Sequence, residues 1–363
     1  MVKYAYATLL MMSNSYLPGV MLLGEKLKKI NGSVDRICLV TKEVTEEARK
    51  LISTLYIIQE IKEWSVPKKF GYAFHKDTFE VYRRTFTKIG VLLIKSYDKI
   101  LFVDADMILT DELLPSGKHP VVDIFNLPTP TGVYMGYFSI WDSKDLPHKP
   151  GKGTFIKTRY EPYKKLTGKN PYEGQQLHKY FYQKDMEEVN ALGAIYLGTE
   201  TSVFMIQPNE EEYNRLYKIF QADLMELEKV CKVGMSIKDI DAVTTKRRKL
   251  SGDTSFLAIE WRDKWHSMDE KYIGRWKTKD VYFVDSYGNA GKPWEDKVNA
   301  SYPDVKYWRD EYKKYISSDT AKRISVVRRA STRQNTRQNT RPGKSSSRKN
   351  KGGKRSRKKS SKK

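Results

Sequence analysis

The chain has 363 residues, 39% hydrophobic and 12% aromatic, enough apolar material for a substantial core and too much for a disordered protein. Its net charge of +23 is uneven: residues 320–363 hold 18 basic residues and no acid, while the rest sets 49 basic against 44 acidic residues. No apolar run has the length to cross a bilayer and the N-terminus shows no signal peptide, so a cytoplasmic protein is expected, with Cys38 and Cys231 as buried free thiols and no cysteine–histidine zinc spacing.

Residues 4–9 read as a first strand, followed by the small, polar loop Ser13-Asn14-Ser15. From Tyr16 to Ile30, Leu17, Val20, Met21, Leu23, Leu27 and Ile30 recur at helical spacing, and Asn31-Gly32 stops the helix. Val34–Val40 is a second strand. Thr45-Glu46-Glu47 opens a helix with acids in its first turn, as the helix dipole favours. Ile57–Ile61 reads as a third strand, Phe86–Lys95 as a helix and Lys99–Val103 as a short buried strand. Strands alternating with helices predict a mostly parallel sheet in an α/β fold. Residues 142–190 mix Pro, Gly, Lys and Tyr without periodicity and read as an insertion that covers the site. Ala194–Ile206 regains strand character, Glu210–Lys229 is an amphipathic helix, and Val281–Val284 is a late strand. Residues 1–300 thus form the domain, 301–319 a connecting segment, and 320–363 a disordered basic tail that repeats Thr-Arg-Gln-Asn from Thr332 and from Thr336.

Asp104 and Asp106 follow directly on the strand Lys99–Val103. In extended backbone, residues two apart point the same way. Two carboxylates then converge at the carboxyl end of a strand, where α/β sheets bind ligands. Oxygen donors of this kind suit a hard divalent cation, Mn²⁺ or Mg²⁺, which would neutralise a diphosphate. An Asp-x-Asp triplet alone is also compatible with a turn carrying two solvated acids. The apolar strand before it and Met107-Ile108-Leu109 after it favour a paired site, because unpaired acids are costly among buried segments.

Three stretches carry a resemblance. Ala5-Tyr6-Ala7-Thr8-Leu9-Leu10 with Ser13-Asn14-Ser15-Tyr16-Leu17-Pro18-Gly19-Val20 is the first. Phe86-Thr87-Lys88-Ile89 with Tyr97-Asp98-Lys99-Ile100-Leu101-Phe102-Val103-Asp104-Ala105-Asp106-Met107 is the second. Gly288 with Lys292-Pro293-Trp294 is the third. Together they resemble glycosyltransferase family 8, which includes glycogenin, galactinol synthase and relatives carried by large DNA viruses. The likeness covers residues 3–110 well and 194–295 thinly, and leaves out 142–190 and the tail.

The resemblance implies a GT-A fold, a Rossmann-like nucleotide-binding half merged with an acceptor-binding half. It implies retaining transfer of a hexose from a UDP-sugar, assisted by Mn²⁺ (or Mg²⁺). UDP-glucose comes first among donors, then UDP-galactose and UDP-N-acetylglucosamine. A glycan, a protein hydroxyl or a polyol is the acceptor. Carried over by position, Thr8, Leu9, Leu10 and Tyr16 hold uridine, and Lys88 meets donor phosphate or sugar. Asp104 meets ribose or metal, Asp106 the metal, and Ala105 the ribose through its backbone. Gly288 admits the diphosphate, and Lys292 neutralises it as UDP leaves. A homodimer and, for a viral protein, host cytoplasm or the virion remain open.

Three positions depart from the family pattern. No histidine precedes Lys292-Pro293-Trp294, and Asp285 is the natural substitute as third metal ligand, the alternative being a missing ligand and weak metal binding. Glu200-Thr201-Ser202 stands where the family has Asn-Ala-Gly. Asp253-Thr254 stands where it has Asp-Gln, leaving Asp253 to bind donor hydroxyls or steady the anomeric centre. Each residue also has a plainer role: Asp253 as a helix N-cap, Lys88 on a helix surface, Tyr16 and Trp294 in packing, His266 as a structural histidine. A catalytically impaired binding protein is the alternative, as is a nucleic-acid-associated protein acting through its basic tail on nucleic acid or another anionic surface.

Overall fold

The computed structural model describes residues 2–140 except 13, 75, 114 and 115; then 154–158, 168–169, 172–177, and 194–339 except 233–234, 245, 262–263, 276–280, 286–291, 297 and 302. β1 (Tyr4–Leu10), α1 (Leu17–Ile30), β2 (Asp35–Val40), α2 (Glu46–Ile52) and β3 (Ile57–Glu60) follow the predicted alternation. Thr45 caps α2 by accepting from the Ala48 N–H. Beyond α3 (Lys76–Tyr82), the stretch predicted as an α-helix from Phe86 to Lys95 is instead a run of 3-10 turns, Thr85–Leu93, buried over most of its length. A tight helix of that kind presents residues on every side, which suits a segment wedged under the sheet.

β4 (Lys99–Val103) pairs parallel with β1, so the chain runs β3-β2-β1 in one direction and then returns to the other flank of β1. That reversal opens a crevice at the carboxyl ends of β1 and β4. The sheet continues as β4-β8-β6-β7, with β6 (Thr131–Ile140), β7 (Thr154–Thr158) and β8 (Ala194–Ile206) joined antiparallel, and β9 (His266–Ser267) added parallel to β6. The fold is therefore α/β with a mixed, mostly parallel central sheet. β5 (Met107–Leu109), β10 (Ile273–Arg275) and β11 (Phe283–Asp285) make a second, three-stranded sheet. Within 142–190, β7 is a strand of the central sheet itself; a covering role for the remainder lies outside the described residues.

Alternation along β4 divides the core. Ile100 and Phe102 face Phe86, Phe204, Phe220 and Phe256, while Leu101 and Val103 face Tyr6, Phe125 and Met205. α5 (Glu210–Val230), α6 (Ile237–Val243), α7 (Lys246–Lys249) and α8 (Asp253–Glu260) build up the first side. Asn209 caps α5, and three glutamates fill its first turn.

The C-terminal segment carries two helices. Residues 303–315 form α9 (Pro303–Tyr315), with Trp308 buried, and α10 (Ser318–Asn339) follows with Ile324 buried against the α1–α2 layer. α9 thus lies within the expected connecting segment 301–319, and α10 runs from it into the span expected as the tail. Residues 340–363 lie outside the described residues.

One buried histidine couples this fold to pH. His119 precedes α4 (Pro120–Asp123); its Nδ1 accepts from the Val121 N–H at 3.3 Å and its Nε2–H donates to the Thr110 carbonyl at 3.2 Å. That pattern requires the neutral ring. Burial pushes its pKa down from 6.5 to about 4. The unfolded chain therefore takes up the proton first, and stability is lost as pH falls from about 6.5 towards 4, by on the order of 3 kcal/mol. Urea unfolding at pH 7 and pH 4.5 is expected to show a shallower pH dependence for His119→Gln than for the natural chain; equal slopes would remove His119 from the account.

Candidate active site

The carboxyl ends of β1 and β4 carry the candidate site. After β1 the backbone turns through Met12 and Asn14, both left-handed at φ 58° and 65°. Asparagine tolerates that region; methionine does so at a cost, so the turn is held from outside. Asn14 exchanges hydrogen bonds with Thr45, its Nδ2 donating to Oγ1 at 3.1 Å and its Oδ1 accepting from the Thr45 N–H at 3.3 Å. Glu43 accepts from the Met12 N–H at 2.8 Å. Thr8 is fully buried, and its hydroxyl has no hydrogen-bond partner in the structure. Leu9 and Leu10 point into the core, and Leu10 has no exposed surface.

α1 starts where this loop ends. A Cβ on Gly19 would lie 2.0 Å from the Ala105 carbonyl oxygen and 2.9 Å from the Trp294 ring. The absent side chain is thus what lets the first turn of α1 rest on the acid pair's backbone. Gly19→Ala is expected to cost about 1–3 kcal/mol through overpacking, read as a lowered urea midpoint. An unchanged midpoint would show that the contact yields freely.

The acid pair is placed by three strands. The Asp104 N–H donates to Ser202 O of β8 at 2.7 Å, and the Met107 N–H to Asp104 O at 3.1 Å, closing the turn between β4 and β5. β8 reaches that position through an irregularity: between the pairs Gly132↔Phe204 and Tyr134↔Thr199, residues 200–203 face the single Val133. Such bulges re-aim backbone beside sites. Here the bulge carries Glu200-Thr201-Ser202.

Lys88 is 4% exposed and lies between three partners. Its ammonium is 2.8 Å from Asp104 Oδ1, 3.0 Å from Asp253 Oδ2 and 3.1 Å from the Thr201 carbonyl. These match the three protons an ammonium can donate. The two acids raise the Lys88 pKa against the effect of burial. Asp253 does not cap its helix: Gly252 holds that position without a side-chain bond, and the carboxylate turns to Lys88. Thr201 Oγ1 donates to Asp253 Oδ2 and accepts from Thr254 Oγ1, 2.6 Å away. Thr254, standing where the resemblance leads one to expect glutamine, is tied into this knot.

On the far side, Lys292 pairs with Asp106 and stands 5.5 Å above the Tyr16 ring. Tyr16 meets Trp294 edge-on at 5.5 Å, and Trp294 packs on Trp308 at 5.4 Å. Burial pushes the Tyr16 phenol up to about 12, against the pull of Lys292. Three carboxylates, Asp104, Asp106 and Asp253, thus face two ammoniums, Lys88 and Lys292. The surplus shows at Asp104, which burial pushes up to about 7 against Lys88, with Asp106 and Asp253 adding to the effect. Lys292 holds Asp106 below the usual carboxylate range in spite of burial.

The structure therefore brings Lys88, Asp104, Asp106, Asp253, Lys292 and Tyr16 to one crevice. The Asp285 backbone is registered against Met107, next to Asp106, while its side chain and Gly288 lie outside the described residues. Among the described residues no group of three or more His, Cys, Asp or Glu is arranged to hold a metal ion. His266 is structural: its Nδ1 lies 3.2 Å from the Pro130 carbonyl. Thr201 is the residue that sequence reasoning named without assigning a role.

No family model matches the chain. An uncharacterised protein of Acanthamoeba polyphaga mimivirus, R707, is 34% identical over 113 residues, 31% of this chain and 39% of that protein; the match takes in well under half of the relative's length. Among solved structures, the fold is similar to the galactosyltransferase LgtC in complex with donor and acceptor sugar analogs, at 9% identity and TM-score 0.45 over 88% of this chain and 99% of that one. It is similar to the glycosyltransferase GlyE of Streptococcus pneumoniae TIGR4, at 13% identity and TM-score 0.41 over 95% and 67%. It is also similar to core-mannan synthase A of Aspergillus fumigatus in its Mn/GDP form, at 12% identity and TM-score 0.39 over 87% and 86%. No helix among the described residues is long and apolar enough to cross a membrane.

Proposed function

We propose that the chain is a retaining glycosyltransferase moving a hexose from a UDP-sugar to a hydroxyl acceptor, with UDP-glucose as the first donor to test and a glycan, protein or polyol as acceptor. The observation that carries this reading is the meeting of Asp104, Asp106, Lys88, Asp253 and Lys292 at the carboxyl ends of β1 and β4. A divalent cation fits the donor set in chemistry: Asp104 and Asp106 are oxygen ligands and the cluster has one more acid than ammonium, and Asp285 is the third ligand proposed from the sequence. Asp104, Asp106 and Asp285 would hold Mn²⁺ or Mg²⁺, which, when bound, neutralises the diphosphate.

The chain's own residues then divide the work. The loop from Thr8 through Leu9 and Leu10 to Tyr16 receives uridine, and Ala105 brings backbone to the ribose. Lys292 transfers its charge from Asp106 to the departing phosphate, where negative charge develops. Lys88 fixes Asp104 and Asp253 relative to one another. Asp253 accepts hydroxyl hydrogens of the donor sugar, and the leaving phosphate oxygen takes the acceptor's proton. Gly288 admits the diphosphate. The viral relative supports seeking the acceptor in a large DNA virus or its host.

A second reading is a nucleotide-sugar-binding protein without turnover, favoured by the pairing of Asp106 with Lys292. A panel of UDP-sugars with Mn²⁺, scored by UDP release and product mass, separates the two. Release above the Asp106→Ala background supports catalysis. Calorimetric binding without release supports the second reading, and neither binding nor release sinks both.

A further inference from the structure

The Lys292 arm has little regular structure of its own, yet it is held firmly from the C-terminal side. Pro293 has no N–H to give. The segment's internal bonds run from the Glu295 N–H to Lys292 O at 2.9 Å and from the Val298 N–H to Glu295 O at 3.1 Å. Arg328 of α10 donates from Nη1 to Trp294 O at 3.5 Å, and Arg309 of α9 supplies three shorter bonds. Its Nε donates to Pro293 O at 3.0 Å, and its Nη2 to Glu295 O at 3.1 Å and Val298 O at 3.2 Å. One planar guanidinium thus gathers three carbonyls of one turn, a geometry that a lysine's single ammonium on a flexible stem does not reproduce.

α9 is in turn referenced to α1. Lys26, 1% exposed, pairs with Glu311 of α9. Seven residues earlier in the sequence, Gly19 of α1 rests on the Ala105 carbonyl between the two acids. A single helix therefore carries both reference points, one for the acid pair and one for the Lys292 arm. Trp294 closes the circuit, packed between Tyr16 and Trp308.

We propose that Arg309 is a positioning residue: by holding the carbonyls of Pro293, Glu295 and Val298 it sets the Lys292 ammonium against Asp106 and the leaving group. The catalytic part of this rests on the function proposed above. The geometric part, that Arg309 governs where Lys292 stands, does not.

The test uses the full chain and two readouts. The first is acylation of individual lysines by a small amine-reactive ester, followed by mass spectrometry. In Arg309→Met, Lys292 is expected to react at least threefold faster than in the natural chain, while buried Lys88 keeps its rate. Arg309→Lys is expected to fall between and serves if Arg309→Met does not fold. An unchanged Lys292 rate in both variants overturns the proposal, whether or not the protein turns over a donor. Faster labelling of Lys88 to the same extent also overturns it, since that is general loosening.

The second readout is UDP release in a cycle with Lys292→Ala. Arg309→Met is expected to lower kcat at least tenfold, and to lower it no further when Lys292 is already alanine. Losses that multiply in the double variant overturn the catalytic part. Absence of release from the natural chain defeats the proposed function and leaves the labelling result to decide Arg309's role.

Discussion

Asp106→Asn is expected to reduce UDP release by roughly 10²–10³-fold, the loss typical when one preorganised charge is withdrawn from a developing anion. The change is isosteric and removes two things together: a ligand for the divalent cation and the partner that holds Lys292. Stability is expected to move little, by under about 1 kcal/mol, because the pair is partly open to solvent, 26% and 18% exposed at Lys292 and Asp106. That contrast, large in rate and small in urea midpoint, separates a site acid from a structural one. Steady-state release with Mn²⁺ and a denaturant titration are sufficient to read it. A variant that releases UDP at the natural rate would show that Asp106 is a solvated turn acid, the plain alternative for any Asp-x-Asp triplet.

Much of this site is legible in the sequence because its key elements are local. β4 and the two acids are contiguous, so a buried strand running straight into them brings both to its carboxyl end, although a turn and not extended backbone carries Ala105 and Asp106. The same locality explains why β1, β2, β4, β8 and α5 fall where periodicity places them. The knot around Lys88 is different in kind. Lys88, Asp104, Thr201 and Asp253 come from four separate elements, and the contact depends on the β8 irregularity that turns Thr201 inward. No pattern within any one segment encodes that.

The C-terminal helices were missed for an energetic reason. Val305, Trp308, Tyr312, Ile316 and Ile324 do recur at three-, four- and eight-residue steps, but the stripe is narrow and set among lysines, arginines and acids. Such a sequence has weak claims to helix alone and becomes helical by docking. Composition sees the charge and overlooks the stripe. The function of that stripe, to carry Trp308 and Arg309 to the Lys292 arm, is visible only once the helix is in place.

Lys88→Met is expected to be among the most damaging single changes in the chain. Methionine retains much of the stem's volume, so the loss is chiefly the ammonium. With it go the partners of two acids, Asp253 at 6% side-chain exposure and Asp104 at 30%, which are then left close together and uncompensated. Removing one member of a buried pair costs about 3–5 kcal/mol, more than the pair contributes when intact, because a bare charge stays behind. The pH dependence has a definite sign. Burial already pushes Asp104 up to about 7 against the pull of Lys88, and without that pull it stays above its unfolded value, so the folded variant binds protons more readily than the unfolded chain. The deficit is therefore smallest at low pH and grows as pH rises through the shifted carboxyl range towards neutrality. Urea titrations of the variant and the natural chain at pH 5 and pH 8 measure it directly. Adding Asp253→Asn to Lys88→Met removes one of the stranded charges and is expected to recover part of the loss at pH 8 and little at pH 5. The outcome also decides between two roles for the lysine. If Lys88 served mainly to touch a donor phosphate, its removal would weaken donor binding and leave the fold within about 1 kcal/mol of normal, the small effect usual for a solvent-exposed charge and not for a buried one. A steep, pH-dependent loss without any donor present instead identifies Lys88 as the residue that fixes the two acids before a substrate arrives.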